Sequence, residues 1–201
     1  MADHVCPVWV GYLLASPLRK MFDNPAKKLS PYISRGMTVI DVGCAMGFFS
    51  IPAAEMVGPE GRVICIDLQE KMVQALYRKA KKKNLLNSIE ARVCRRDSLN
   101  AGDLANAADL VLALAVVHEV PDVASFLDEL YSIIKDGGKL LIVEPGGHVS
   151  ENSFKATVEA AEKIGFTILE NSGTRRRHQA LFQKITEKRE RYNGEIPVEV
   201  H

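Results

Sequence analysis

No apolar stretch in this 201-residue chain reaches the roughly 18 residues that a membrane-spanning helix needs. A membrane span is therefore not expected. The opening MADHVCPVW lacks a basic region followed by an apolar one, so no secretory signal is expected, and the cytoplasm is the expected compartment. An excess of one charge is missing too. Lys and Arg number 26 against 25 Asp and Glu, and the formal net charge of +1 is too small for a broad nucleic-acid footprint. Cys6, Cys44, Cys65 and Cys94 contain no Cys-x-x-Cys spacing and read as buried reduced thiols, not as a disulfide framework or a zinc site. A zinc-protease pattern starting at His118-Glu119 would need histidine at position 122, where Asp122 stands. No metal site is expected. The chain also lacks the third glycine of Gly-x-Gly-x-x-Gly, the usual dinucleotide-binding turn. It has no internal repeat and no low-complexity block.

What is present is an ordinary globular composition, 47% hydrophobic and 25% charged, at a length that one domain accounts for. The informative stretch is residues 38–67, TVIDVGCAMGFFSIPAAEMVGPEGRVICID. Val39, Ile40 and Val42 suit a strand buried on both faces. Gly43 and Gly47 then bracket a tight turn, where the lack of Cβ permits strained dihedrals and a close ligand approach. Residues 48–57 have helical spacing, and Gly58-Pro59-Glu60-Gly61 ends that helix. A second apolar run, residues 62–66, ends on Asp67. An acid at the tip of a second strand, about 20 residues beyond the glycines, suits the hydroxyl pair of a ribose.

The rest of the chain continues the alternation. A helix over residues 70–84 carries Met72, Val73, Leu76 and Ala80 on one face and lysines in its last turns, where cations suit the helix dipole. Residues 89–94 form a third strand, with Arg95-Arg96-Asp97-Ser98 at its tip. The run ADLVLALAVV, residues 108–117, reads as a central strand ending at His118-Glu119. Asp122 caps a helix over 123–134, and Asp136-Gly137-Gly138 turns the chain into a fifth strand, 139–144. A helix over 151–164 precedes Gly165, and residues 166–169 and 179–185 supply a sixth and a seventh strand. Such alternation implies a largely parallel sheet with helices on both faces.

The spacing Asp41-x-Gly43-x-Ala45-x-Gly47 resembles the first motif of the class I S-adenosylmethionine-dependent methyltransferases, with Ala45 in place of the middle glycine. The resemblance extends over residues 36–185. KDGGKLLIVEP and EKIGFTILE are similar to the small-molecule, quinone-biosynthesis-like branch. It implies an α/β, Rossmann-like, seven-stranded fold whose seventh strand runs antiparallel between the fifth and the sixth. It also implies three regions: an N-terminal lid or cover over 1–36, a methyltransferase core over 37–186 and a polar tail over 187–201. Carried over position by position, Asp41, Gly43, Ala45 and Gly47 would hold the methionine moiety of S-adenosylmethionine. Asp67 would hold its ribose, Leu68 would lie beside the adenine, and Asp97 with Ser98 would meet the adenine amino group. S-adenosylhomocysteine would be the product.

In-line transfer of an activated sulfonium methyl needs alignment above all, and a base where the acceptor must lose a proton. In open α/β sheets the acceptor lies beyond the carboxyl ends of the strands. That places His118 and Glu119 as candidate catalytic groups, with a structural histidine as the competing reading, and Glu144 and His148 in the candidate acceptor pocket. Trp9 and Tyr12 are candidate pocket residues contributed by the lid. VVHEVPD replaces the Asn/Asp-Pro-Pro-Tyr motif of many amino-methylating enzymes, which favours a small-molecule acceptor methylated on O, C or S. Two other readings stay open: a noncatalytic S-adenosylmethionine-binding protein, since fold does not fix function, and an RNA methyltransferase, suggested by Arg175-Arg176-Arg177-His178. Near-neutral net charge weighs against the last. The sequence leaves the oligomeric state open.

Overall fold

A computed structural model describes residues 24–185. Trp9, Tyr12 and the segment 187–201 lie outside the described residues. A short helix α1 (Pro25–Leu29), capped by the Asn24 side chain, leads into strand β1 (Thr38–Val42). Helix α2 (Ser50–Val57), β2 (Arg62–Asp67), α3 (Glu70–Lys82) and β3 (Ile89–Val93) follow. The second half holds β4 (Ala108–Leu114), α4 (Val123–Ile133), β5 (Ile134–Pro145), α5 (Glu151–Ile164), β6 (Phe166–Thr174) and β7 (Arg177–Lys184). The seven strands form one sheet in the order β3-β2-β1-β4-β5-β7-β6. Neighbours from β3 to β5 pair in parallel, whereas β7 pairs antiparallel with both β5 and β6. The expected insertion of the seventh strand is therefore present.

Alternation along each strand divides the interior into two cores. Val39, Val63, Cys65, Leu110, Leu112, Leu141 and Leu181 face α1, α2 and α3, where Leu29, Ile51, Val57 and Leu76 meet them. Ile40, Ile64, Ile66, Val111, Ile142 and Phe182 face the opposite way, against Leu127, Leu130, Phe154 and Val158 of α4 and α5. Both faces of the central strands are dry, which is why their sequences are continuous apolar runs. The carboxyl ends of β1 to β5 emerge along one edge of this sandwich, and order reverses between β1 and β4. A ligand crevice belongs at that switch point.

Several boundaries differ from the sequence reading: β4 stops at Leu114, with Val117 already in a 3-10 turn, β7 begins at Arg177, and three more differ for local reasons. Helix α2 starts at Ser50, two residues late, because Ala45 and Gly47 take left-handed backbone angles of φ 45° and 79°, so the Ile51 amide is the first to bond back, to Gly47. Strand β5 already begins at Ile134. The expected Asp136-Gly137-Gly138 turn is a bulge, with Ile134 pairing Ala108 and Lys139 pairing Leu110, and Gly137 at φ 77° provides the kink. Strand β6 runs on to Thr174 because its hairpin with β7 continues to the Thr174–Arg177 pair. Residues 170–174 are exposed throughout, so no alternation in sequence marks them as strand. The Asp122 cap and the helix end at Gly165, φ 118°, are as expected.

Candidate functional site

A cleft of about 1690 Å³ opens at the switch point. Drug-sized ligand pockets run to roughly 1,000 Å³, so the volume suits two ligands side by side. One end is built on β1, β2 and β3. There the turn after β1 is pinned twice to β2: the Gly43 and Cys44 amides both donate to the Ile66 carbonyl, at 2.9 and 3.1 Å. Gly43 adopts φ 74°, and a Cβ on it would stand 2.8 Å from Val116 Cγ2, so only glycine lets the turn lie against the β4 end. Gly47 backs onto α3, where a Cβ would come within 2.3 Å of Leu76 Cδ1.

Ala45 holds the left-handed conformation that costs an L-residue roughly 1–2 kcal/mol, and its amide donates to Asp67 Oδ2 at 2.8 Å. Asp67 Oδ1 accepts from the Gln69 amide, also at 2.8 Å. One carboxylate thus ties together the glycine turn and the start of α3. Burial pushes its proton affinity up, while the two amide bonds oppose that rise. Each oxygen keeps capacity for a further hydrogen bond after accepting one N–H, and Asp67 lines the cleft.

Asp41 plays a different part from the one expected. It is 3% exposed, lies on the α2 side of β1 beneath the turn, and accepts from Ser50 Oγ at 2.5 Å. Its side chain anchors the first residue of α2 and does not line the cleft. Burial raises its pKa from 3.8 to about 6, the Ser50 bond counteracts, and repulsion from Asp67 adds to the rise.

At the tip of β3, Asp97 is 74% exposed on the rim and pairs with Arg95 Nε at 3.3 Å. Ser98 Oγ and the Leu99 amide both donate to Glu129 of α4, at 3.2 and 2.8 Å. Leu68, 37% exposed, presents an apolar side chain to the cleft next to Asp67. Cys94 also lines this end, and burial pushes its thiol up to about 11, which keeps it protonated and non-nucleophilic at neutral pH.

The other end is built on β4, β5 and β7. His118 sits in a single 3-10 turn, Val117–Glu119, just past β4. Glu144, near the end of β5, is 2% exposed; its Oε1 accepts from the Val117 amide at 2.8 Å and its Oε2 bonds His118 Nδ1. That bond, foremost, raises the His118 pKa above its ordinary value of 6.5; partial burial acts against it, and Glu119 adds a smaller favourable charge. With Nδ1 committed to Glu144, Nε2 is the free nitrogen, and 28% of the side chain is exposed. His148 stacks on it nearly parallel, ring centroids 6.1 Å apart. The structure thus gathers His118, Glu119, Glu144 and His148 at one end of the cleft and Gly43, Ala45, Asp67, Leu68, Asp97 and Ser98 at the other.

Sequence reasoning missed Glu129, which looked like one more polar residue on an amphipathic helix. Within the expected 1–36 cover it did not single out Lys27, Lys28, Leu29 and Tyr32, which line the cleft, Tyr32 Oη receiving a hydrogen bond from Gln179 Nε2 of β7 at 2.9 Å.

Residues 33–196 match the profile of the family described as a methyltransferase domain. The chain belongs to that family. Among curated relatives, the methyltransferase domain is 30% identical over 112 residues to a demethylmenaquinone methyltransferase of a Geobacillus species and 33% identical over 113 residues to that of Oceanobacillus iheyensis. Each match covers 56% of this chain, and 47% and 46% of the respective relatives. The chain therefore spans about half the length of the curated relatives it matches. Among solved structures, a SAM-dependent methyltransferase from Aquifex aeolicus superposes with a TM-score of 0.79 over 90% of this chain and 100% of its own, at 23% identity. The seven-stranded class I methyltransferase fold is thereby established. No helix among the described residues is long and apolar enough to cross a membrane.

The family implies S-adenosylmethionine, and the residues present fit it. The 43–45 turn lines the cleft, the Asp67 carboxylate retains acceptor capacity, and Leu68 offers an apolar flank.

Proposed function

We propose that this chain is a cytoplasmic S-adenosylmethionine-dependent methyltransferase acting on a small molecule, with His118 as the base. One observation carries the reading. The cleft has the amide-anchored carboxylate Asp67 at one end and a histidine oriented by a buried carboxylate at the other. Bound S-adenosylmethionine supplies a sulfonium methyl group already activated for displacement.

The residues do the rest. The 43–45 turn and Asp67 hold the methionine and ribose portions, while Leu68, Asp97 and Ser98 flank the adenine. His118 Nε2 accepts the acceptor's proton as the nucleophile forms, and Glu144 keeps Nδ1 protonated and stabilises the resulting imidazolium. This is the arrangement in which a neutral imidazole acts through one nitrogen because the other is occupied. Lys27, Lys28, Leu29, Pro31 and Tyr32 already line the cleft, which supports a covering role for the 1–36 segment, with Trp9 and Tyr12 as its proposed pocket residues. The names of the relatives make a hydroxylated aromatic, quinol-like compound the first acceptor to try.

The test is transfer of labelled methyl from the cofactor to a metabolite panel, with wild type beside His118→Ala and Glu144→Gln. Wild type is expected to turn over at a rate that rises with pH through the His118 titration, above 6.5. Loss of base function in His118→Ala costs roughly 10²–10⁴-fold. Glu144→Gln moves the rising limb of the profile to lower pH, because the group that raises the histidine's pKa has been neutralised. Cofactor binding without turnover of any compound would favour a noncatalytic binder. An unchanged pH profile in Glu144→Gln would remove the pair from the mechanism.

A further inference from the structure

Four positively charged side chains stand around the acceptor end of the cleft: Lys27 and Lys28 from α1, and Arg176 and Arg177 from the turn between β6 and β7. They come from opposite ends of the sequence and are brought together by structure. Gln179, two residues beyond Arg177 on the same side of β7, donates to Tyr32 just after α1, so Arg177 projects from the sheet face that α1 covers. The turn is clasped to the end of β5: the Gly146 amide donates to the Arg176 carbonyl at 3.0 Å, and a Cβ on Gly146 would meet the Arg175 carbonyl oxygen at 2.6 Å. The Thr174 hydroxyl accepts from the Arg176 and Arg177 amides at 3.3 and 3.2 Å, fixing the turn from the other side.

The acids of the same cleft are largely engaged. Glu144 serves His118 and the Val117 amide, Glu129 serves Ser98 and Leu99, and Asp67 serves two backbone amides. Asp97 pairs with Arg95, and Asp122 caps α4. Glu119, beside His118, also lines the acceptor end. Lys27, Arg176 and Arg177, by contrast, form no ion pair among the described residues. Cations converging on a concave, largely apolar cleft focus their field there, where it acts more strongly than on an open surface.

We infer that the methyl acceptor is a small organic anion, with a carboxylate or phosphate held by Arg176, Arg177 and Lys27 and an ionisable hydroxyl placed toward His118. The inference rests on the functional reading above and names its substrate class. A second source of the same chemistry is the carboxylate of the cofactor itself, and the experiment separates the two.

Calorimetric titrations of the S-adenosylhomocysteine-loaded protein would use 4-hydroxybenzoate and its methyl ester, which share a ring and a hydroxyl and differ in charge. The acid is expected to bind at least about tenfold more tightly than the ester, with the difference shrinking as salt is raised. The exposed double variant Arg176→Gln/Arg177→Gln should abolish the preference and leave S-adenosylhomocysteine affinity unchanged. Equal or undetectable binding of acid and ester by wild type overturns the assignment. So does a variant that loses S-adenosylhomocysteine affinity instead, which would give these arginines to the cofactor. Strong, salt-dependent binding of a structured RNA with no response to the acid would also overturn it, in favour of a phosphate-backbone acceptor. A wild type that binds no S-adenosylhomocysteine would sink the functional reading, and this inference with it.

Discussion

Replacing Asp41 by asparagine should stabilise this protein at neutral pH relative to acid, by an amount that follows from how far burial raises the carboxyl's pKa. Asp41 is buried under the glycine turn with one hydroxyl partner, Ser50. Its pKa is about 6 in the folded chain against an ordinary 3.8. A folded pKa above the unfolded one means the folded state binds the proton more tightly. The associated stability is fully present below pH 3.8 and is lost as pH rises through about 6. The interval corresponds to about 3 kcal/mol, at about 1.4 kcal/mol per tenfold in proton affinity. Asparagine has no such titration. Urea unfolding of both proteins at steps between pH 4 and pH 7 should show the stability of Asp41→Asn, taken relative to wild type, growing by about 2 kcal/mol, most of that interval. Groups that titrate alike in both proteins cancel in the difference. A difference that stays flat with pH would show that Asp41 ionises without a burial penalty, refuting the account of it as a buried anchor.

Other outcomes follow from single contacts. Gly47→Ala sets a methyl 2.3 Å from Leu76 Cδ1 at φ 79°. Left-handed strain of roughly 1–2 kcal/mol and overpacking of similar size should lower the melting temperature by several degrees in a thermal scan; an unchanged value would contradict the packing. Lys184 is 5% exposed, and its ammonium donates to Asn106 Oδ1 and the Tyr131 and Ile134 carbonyls at 2.8–2.9 Å. Lys184→Met strands those acceptors and should cost about 1–3 kcal/mol in denaturant unfolding, whereas a neutral result would mean that water replaces the ammonium. Asp67→Ala should weaken S-adenosylhomocysteine binding by about 1–3 kcal/mol in a protein that stays folded; full affinity would remove Asp67 from the site.

The parts of the fold legible in the sequence were those in which one chemical pattern repeats locally. Residues 38–67 announce strand, turn, helix and strand because a doubly buried strand must be apolar throughout and the turn needs glycine. The long apolar β4 and the Gly165 stop are legible for the same reason. The candidate cleft was legible where its lining follows directly on such a pattern, as at Gly43, Asp67 and His118. It was not legible where partners meet across the fold. His118 and Glu144 are 26 residues apart and touch only because β4 and β5 are neighbours, with Leu114 paired to Val143. Asp41 sits in the motif as a ligand-binding acid would, yet strand alternation turns it toward α2 and Ser50. Arg176 and Arg177 look in sequence like a solvated turn, and only the antiparallel insertion of β7 brings that turn to the end of β5.

The central claim is that the cleft above β1, β2 and β4 is built for a sulfur nucleoside and not for a dinucleotide. Titrating the purified protein in a calorimeter with S-adenosylhomocysteine and, separately, with NAD tests it most directly. The account predicts saturable binding of S-adenosylhomocysteine at one site per chain and no heat of binding with NAD. Saturable binding of NAD with no response to S-adenosylhomocysteine would contradict it.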